Sequence, residues 1–237
     1  MHNAPEESMV EPRVLARRLR RRAWLAGWRL KDGLAEVHRR VPEGTVALTF
    51  DDGPHPDSTP RVLDRLAELG VPATFFCVGR TAQAHPELVA RALAEGHAVG
   101  SHSFSHPHPA ETSLGPLGDE YHRGRQALAD SAGWNTPLFR PPHGHLGFRS
   151  AVMVRTQRLS PWLWTVDPQD WRPGITTREV AEVASTARSG DVVLLHDWAE
   201  QPWAPESLDR SATIDALPAI VEAVQARGLR FTTLPSR

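Results

Sequence analysis

Side chains able to do acid, base or metal chemistry gather in five short clusters of this chain. These are Asp51-Asp52-Gly53-Pro54, His102-Ser103-Phe104-Ser105-His106, Arg140-Pro141-Pro142-His143-Gly144, Asp167-Pro168-Gln169-Asp170-Trp171 and His196-Asp197. Each has an ordinary reading by itself. Adjacent aspartates before Gly-Pro are good turn formers, and a His-x-x-x-His pair puts two imidazoles on one face of any turn, catalytic or not. Their combination says more. Two His and one carboxylate with open coordination positions suit a divalent ion that binds and polarises a substrate. Nitrogen and oxygen donors together favour Zn²⁺, Co²⁺ or Fe²⁺ over Mg²⁺ or Ca²⁺. A remaining carboxylate can then take a proton from the attacking water, and a separate His can protonate a leaving amine or alcohol. That division of labour is metal-assisted hydrolysis.

The elements that must position these groups are legible in the apolar pattern. Val46 to Phe50 reads as a buried strand that runs into the breaker Asp51-Asp52-Gly53-Pro54. Ser58 or Thr59 can cap a helix that opens at Pro60, turns Val62, Leu63, Leu66 and Leu69 inward and stops at Gly70. Further strands are expected at 73–78, 97–101, 138–140, 162–166, 192–195 and 230–234. Helices are expected near 82–95, 117–132, 148–159, 176–188 and 214–227. Seven βα-like units without a repeated motif predict a parallel barrel of seven or eight strands. The clusters then fall at the C-terminal strand ends, where such folds place their chemistry. An open doubly wound sheet usually carries a Gly-rich loop after its first strand, and two carboxylates stand there instead.

Composition narrows the class. The chain has 237 residues, 40% of them apolar, enough for a substantial core in one domain. A single Cys excludes an intramolecular disulfide framework and any multi-Cys zinc site; Cys77, in an expected buried strand, reads as core. With 27 Lys+Arg against 28 Asp+Glu, the strong basic excess of a nucleic-acid binder is missing. The charge is unevenly spread. Residues 1–40 carry ten Lys+Arg and five Asp+Glu, including Arg17, Arg18, Arg20, Arg21 and Arg22, whereas the rest is acidic. The expected division is therefore a basic N-terminal helical arm, 1–40, and a catalytic domain, 41–237. Leu15, Leu19, Trp24, Leu25 and Trp28 give the arm a ragged apolar face, which reads as a solvated or docked helix with contact to anionic lipid as the alternative.

The five clusters, in this order, resemble the motifs of the polysaccharide deacetylase family, also called the NodB-homology domain or carbohydrate esterase family 4. The resemblance also takes in Thr49-Phe50 before the aspartates and Val193-Leu194-Leu195 before His196, and it covers roughly residues 45–235. It implies a distorted (β/α)7–8 barrel of the NodB-homology type and metal-dependent removal of acetyl groups from an N-acetylated amino sugar. Zn²⁺ is the default ion, with Co²⁺, Mn²⁺ or Ni²⁺ as substitutes. By the resemblance, Asp52, His102 and His106 are the metal ligands and Asp51 is the base, oriented by Arg140. His196 is the acid that protonates the departing amine, with Asp170 as its partner. Pro141, Trp171 and Leu195 match substrate-pocket positions, and the backbone N–H at 143 matches an oxyanion donor. His143 departs from the pattern, because the family usually has Tyr there; its side chain is assigned to the substrate region.

Two other chemistries share the barrel: an O-acetyl esterase, and an amidohydrolase acting on a non-sugar C–N bond such as a cyclic imide. A binding module with a dead site is disfavoured, since base, ligands and acid are all present. The longest apolar stretch after the arginines, Ala23 to Trp28, is too short for a signal-peptide core or a membrane span. The expectation is a cytoplasmic monomer acting on an acetylated sugar, or a secreted one if a leader preceded Met1.

Overall fold

The computed structural model describes residues 35–202 and 204–235. Among the described residues, seven strands carry the fold: β1 (Thr45–Asp51), β2 (Thr74–Cys77), β3 (Ala98–Ser101), β4 (Leu138–Phe139), β5 (Ser160–Pro161), β6 (Val192–His196) and β7 (Arg230–Phe231). All pairs are parallel, in the order β5-β4-β3-β2-β1-β6, with β7 on the N-terminal half of β1. After β5 the chain curls back, and the Leu194 N–H donates to the Val166 carbonyl at 2.9 Å. The result is a curled parallel half-barrel clothed in helices, of the expected class.

The helices are α1 (Thr59–Leu69), α2 (Gly79–Ala84), α3 (Pro86–Ala94), α4 (Leu114–Ala132), α5 (Phe148–Thr156), α6 (Thr177–Ala184) and α7 (Ser211–Gln225). In α1, Val62, Leu63 and Leu66 are buried as expected, and Gly70 ends the helix at φ 65. The expected side-chain cap is absent, because Ser58 and Thr59 donate their hydroxyls to Asp197 instead. The single helix expected over 82–95 is two, α2 and α3, broken at His85. Pro86 has no N–H to continue a helix and pushes the residue before it out of the helical region. The strand expected over 162–166 is displaced: β5 ends at Pro161, and Trp162 bridges His38. His38 donates its N–H to the Pro161 carbonyl, so the chain just before residue 41 already belongs to the barrel edge. The lipid-contact expectation and Trp203 lie outside the described residues.

Strand parity sorts the side chains. Val46, Leu48 and Phe50 of β1 and Val193 and Leu195 of β6 join the main core under α1, α6 and α7. The alternate residues Ala47 and Val192 plug the barrel interior with Phe76, Leu138 and Trp162. On the same interior-facing parity, β1 ends in Asp51 and β6 in His196, and the two pair in register. Among the described residues, no helix is long and apolar enough to cross a membrane.

Candidate active site

The catalytic-face loops close around a cavity of about 250 Å³ lined by Asp51, Asp52, His102, His106, His143, Trp164, Asp167, Trp171, Leu194 and His196, among others. Asp52, His102 and His106 are all buried. They offer ligand atoms that lie within 4.8 Å of one another, the one such group of three among the described residues. Asp52 Oδ1 stands 3.5 Å from His102 Nε2 and 3.3 Å from His106 Nε2. It is buried without a hydrogen-bond partner, whereas its sister Oδ2 accepts from the Glu200 N–H at 3.0 Å. His102 Nδ1 meets the Arg140 carbonyl at 2.7 Å; a carbonyl only accepts, so Nδ1 carries the proton and Nε2 presents its lone pair. Burial and the neighbouring His106 hold His102 well below its ordinary pKa, in the neutral form a metal requires. An orphaned carboxylate oxygen beside two aimed imidazole nitrogens fits a divalent metal.

The His102–His106 loop is held from α4. Glu120 accepts from the Phe104 and Ser105 N–H groups at 3.1 and 2.8 Å and from the Ser105 hydroxyl. Gly124 lets the helix sit directly against the Ser103 backbone, which any Cβ would strike. Neither residue carries a signal in the sequence.

Two carboxylate–cation pairs flank this group. Arg140, wholly buried, donates Nη1 to Asp51 Oδ1 at 2.7 Å and to Thr49 Oγ1 at 2.8 Å, and Nε to the Trp162 carbonyl. Burial pushes the Asp51 carboxyl up while Arg140 pulls against it, leaving its pKa at about 6. On the other side, Asp170 Oδ1 lies 2.7 Å from His196 Nδ1, and Oδ2 accepts from the His196 N–H and the Thr213 hydroxyl. Burial alone would lower His196, but Asp170, with Asp52 and Asp51 beyond it, outweighs this and holds it at about 9. Burial raises Asp170, yet His196 brings it to a net value below the usual carboxylate range. Thr213 and Arg210, which steady Asp170, come from a distant part of the chain and went unforeseen.

The substrate-wall assignments divide. Trp171 lines the cavity, and so does His143, at a backbone φ of 56. The His143 ring lies 4.6 Å from that of His106 and 4.8 Å from that of His108; burial and these neighbours lower its pKa to about 4. Pro141 is buried outside the lining and shapes the turn, its carbonyl accepting from the Gly144 N–H. Leu195 is a correction. It is fully buried in the main core, and Leu194 lines the cavity instead. Side chains alternate along a strand, so the residue two before His196 shares its face, and the residue one before cannot. Trp162 is core and Trp164 is cavity wall. Trp198 has one face stacked on His55 at 3.4 Å, which leaves that face no room for a sugar.

Residues 38–157 match the polysaccharide deacetylase family. The chain is 37% identical over 198 residues to a peptidoglycan-N-acetylglucosamine deacetylase of Bacillus cereus, covering 81% of this chain and 87% of that one. It is 37% identical over 196 residues to a chitooligosaccharide deacetylase of Bradyrhizobium, covering 81% and 89%. A family 4 carbohydrate esterase from Streptomyces lividans, solved with acetate, superposes with a TM-score of 0.73 at 32% identity, covering 83% of this chain and 95% of that one. The chain belongs to the polysaccharide deacetylase family.

Proposed function

We propose that this chain, a carbohydrate deacetylase by family, hydrolyses the N-acetyl group of an N-acetylglucosamine-type sugar with Zn²⁺ as its ion. The observation that carries this reading is the buried Asp52–His102–His106 group set between a carboxylate of raised pKa and an imidazolium of raised pKa around one cavity. The relatives named for peptidoglycan and chitooligosaccharide deacetylation point to the substrate class.

Asp52, His102 and His106 would hold the metal, which supplies Lewis-acid chemistry at the acetyl carbonyl when bound. Asp51 takes a proton from the water whose oxygen attacks the acetyl carbon. Arg140 holds that carboxylate in place by a charge-assisted hydrogen bond. The backbone N–H of His143 donates to the oxygen that gains charge as the carbonyl becomes tetrahedral. His196 gives its proton to the nitrogen as the C–N bond breaks, so acetate and a free amine leave. Asp170 keeps His196 charged until then. Leu194, Trp164 and Trp171 form the wall available to the acetyl methyl.

Acetate release from a panel of N-acetylglucosamine oligomers, peptidoglycan fragments and acetylated xylan tests the reading. The protein is stripped with chelator and reloaded with Zn²⁺, Co²⁺, Mn²⁺ or Ni²⁺. Turnover on the amino-sugar members, lost on chelation and restored best by Zn²⁺, is the expected result. Acetate from xylan alone, or ring opening of a cyclic imide without acetate release, would overturn it.

A further inference from the structure

We infer that Asp197 is a positioning residue that holds Asp52 in its metal-ligating conformation by clamping the turn after β1. The inference rests on the metal site proposed above. Asp52 sits at φ 78, in the left-handed region that a non-glycine residue adopts only when its surroundings hold it there. Asp197 supplies that hold from the end of β6. Its Oδ1 accepts from the Gly53 N–H at 3.1 Å, and its Oδ2 accepts from the Thr59 hydroxyl at 2.5 Å. The Thr59 oxygen accepts in turn from the His55 N–H at 2.8 Å, and the Asp197 carbonyl accepts from the Ser58 hydroxyl. One carboxylate thus ties both ends of the 53–59 turn to the strand that carries His196. The fit is close: a Cβ on Gly53 would overlap the Asp197 carboxylate, so only glycine lets the two groups meet.

Asp197 does not line the cavity and is 1% exposed, so it reaches neither substrate nor ion. Among the described residues its carboxylate makes hydrogen bonds and no ion pair, so it contributes shape rather than charge. Asn keeps most of that shape, because its carbonyl accepts from Gly53 and its amide donates to the Thr59 oxygen. Ala keeps none of it.

The test is Zn²⁺ affinity of the stripped full-length protein, measured by competition with a chromophoric chelator, alongside circular dichroism and Tm. D197A is expected to weaken Zn²⁺ binding by about 10–100-fold, the usual cost of losing an outer-shell partner. D197N should stay within about threefold of wild type by the hydrogen-bond argument above. T59V, which removes one arm of the clamp and leaves Asp197 intact, should fall between them and gives the reading if D197A does not fold. Wild-type affinity in D197A, or in T59V should D197A not fold, would overturn the clamp and leave the metal site standing. An affinity loss in D197N as large as in D197A would overturn it too, because charge rather than shape would then be at work. If wild type binds no Zn²⁺, or H102A leaves binding intact, the metal-site reading itself fails, and the clamp with it.

Discussion

The two flanks of the cavity are built from the same parts and behave in opposite ways. On the β1 flank a buried carboxylate, Asp51, meets a guanidinium that hydrogen-bonds it at one oxygen, and its pKa still ends high, at about 6. On the β6 flank a buried carboxylate, Asp170, meets an imidazole and ends low, while the imidazole rises to about 9. The difference lies in what opposes burial at each carboxylate. Burial pushes both up, but His196, with Arg210 and Thr213, overcomes it at Asp170, whereas at Asp51 burial prevails over Arg140 and Asp52 beside it adds a like charge that favours the protonated form. One flank is left with a carboxylate ready to accept a proton, and the other with an imidazolium ready to give one. Environments that push two titratable groups apart assign base and acid.

Removing either pole should have the largest effect. D51N and H196A are each expected to lower the rate of acetate release by about 10²–10⁴-fold with the circular dichroism spectrum unchanged. Substantial turnover in either purified, metal-loaded variant would break the assignment. D170N sharpens the contrast by pH. His196 is raised by its anion, so without that anion burial dominates and the imidazolium deprotonates at lower pH. The alkaline limb of the pH–rate profile should move acidward, costing at least about tenfold at pH 8. An unmoved limb would mean that another group sets it.

Leu194 and Leu195 offer the same contrast across one strand. L194A should raise KM or lower kcat a few-fold by opening the cavity wall, with little change in Tm. L195A should leave the kinetics of the folded protein near wild type and cost about 2–5 kcal/mol of stability in chemical denaturation. The reverse pattern would show the parity to be wrong. The smallest effect belongs to the mouth. H143Y keeps the backbone N–H, so it should change relative rates across acetylated sugars by no more than about tenfold, roughly one modest side-chain contact. Identical rates across the panel would make the His143 ring a bystander.

The chain's local pattern was enough for part of this. The breaker after Phe50, the stop at Gly70 and the five clusters at strand ends are readable because apolar period, Gly, Pro and His spacing act over a few residues. Leu195 was misplaced for a local reason as well, since a one-residue step along a strand reverses its face. The unforeseen groups are of another kind. Glu120, Thr213 and Arg210 hold the site through hydrogen bonds to residues 15 to 43 positions away. Nothing in their neighbourhoods marks them.

The sequence by itself determined which chemical groups this protein brings to a hydrolytic site and, through the alternation of strands and helices, the end of the barrel where they meet. Only the tertiary structure decided their states. Whether a carboxylate is a base, a partner or a clamp depends on which donors and charges pack against it. Those neighbours come from segments that meet only when the parallel strands curl into one barrel.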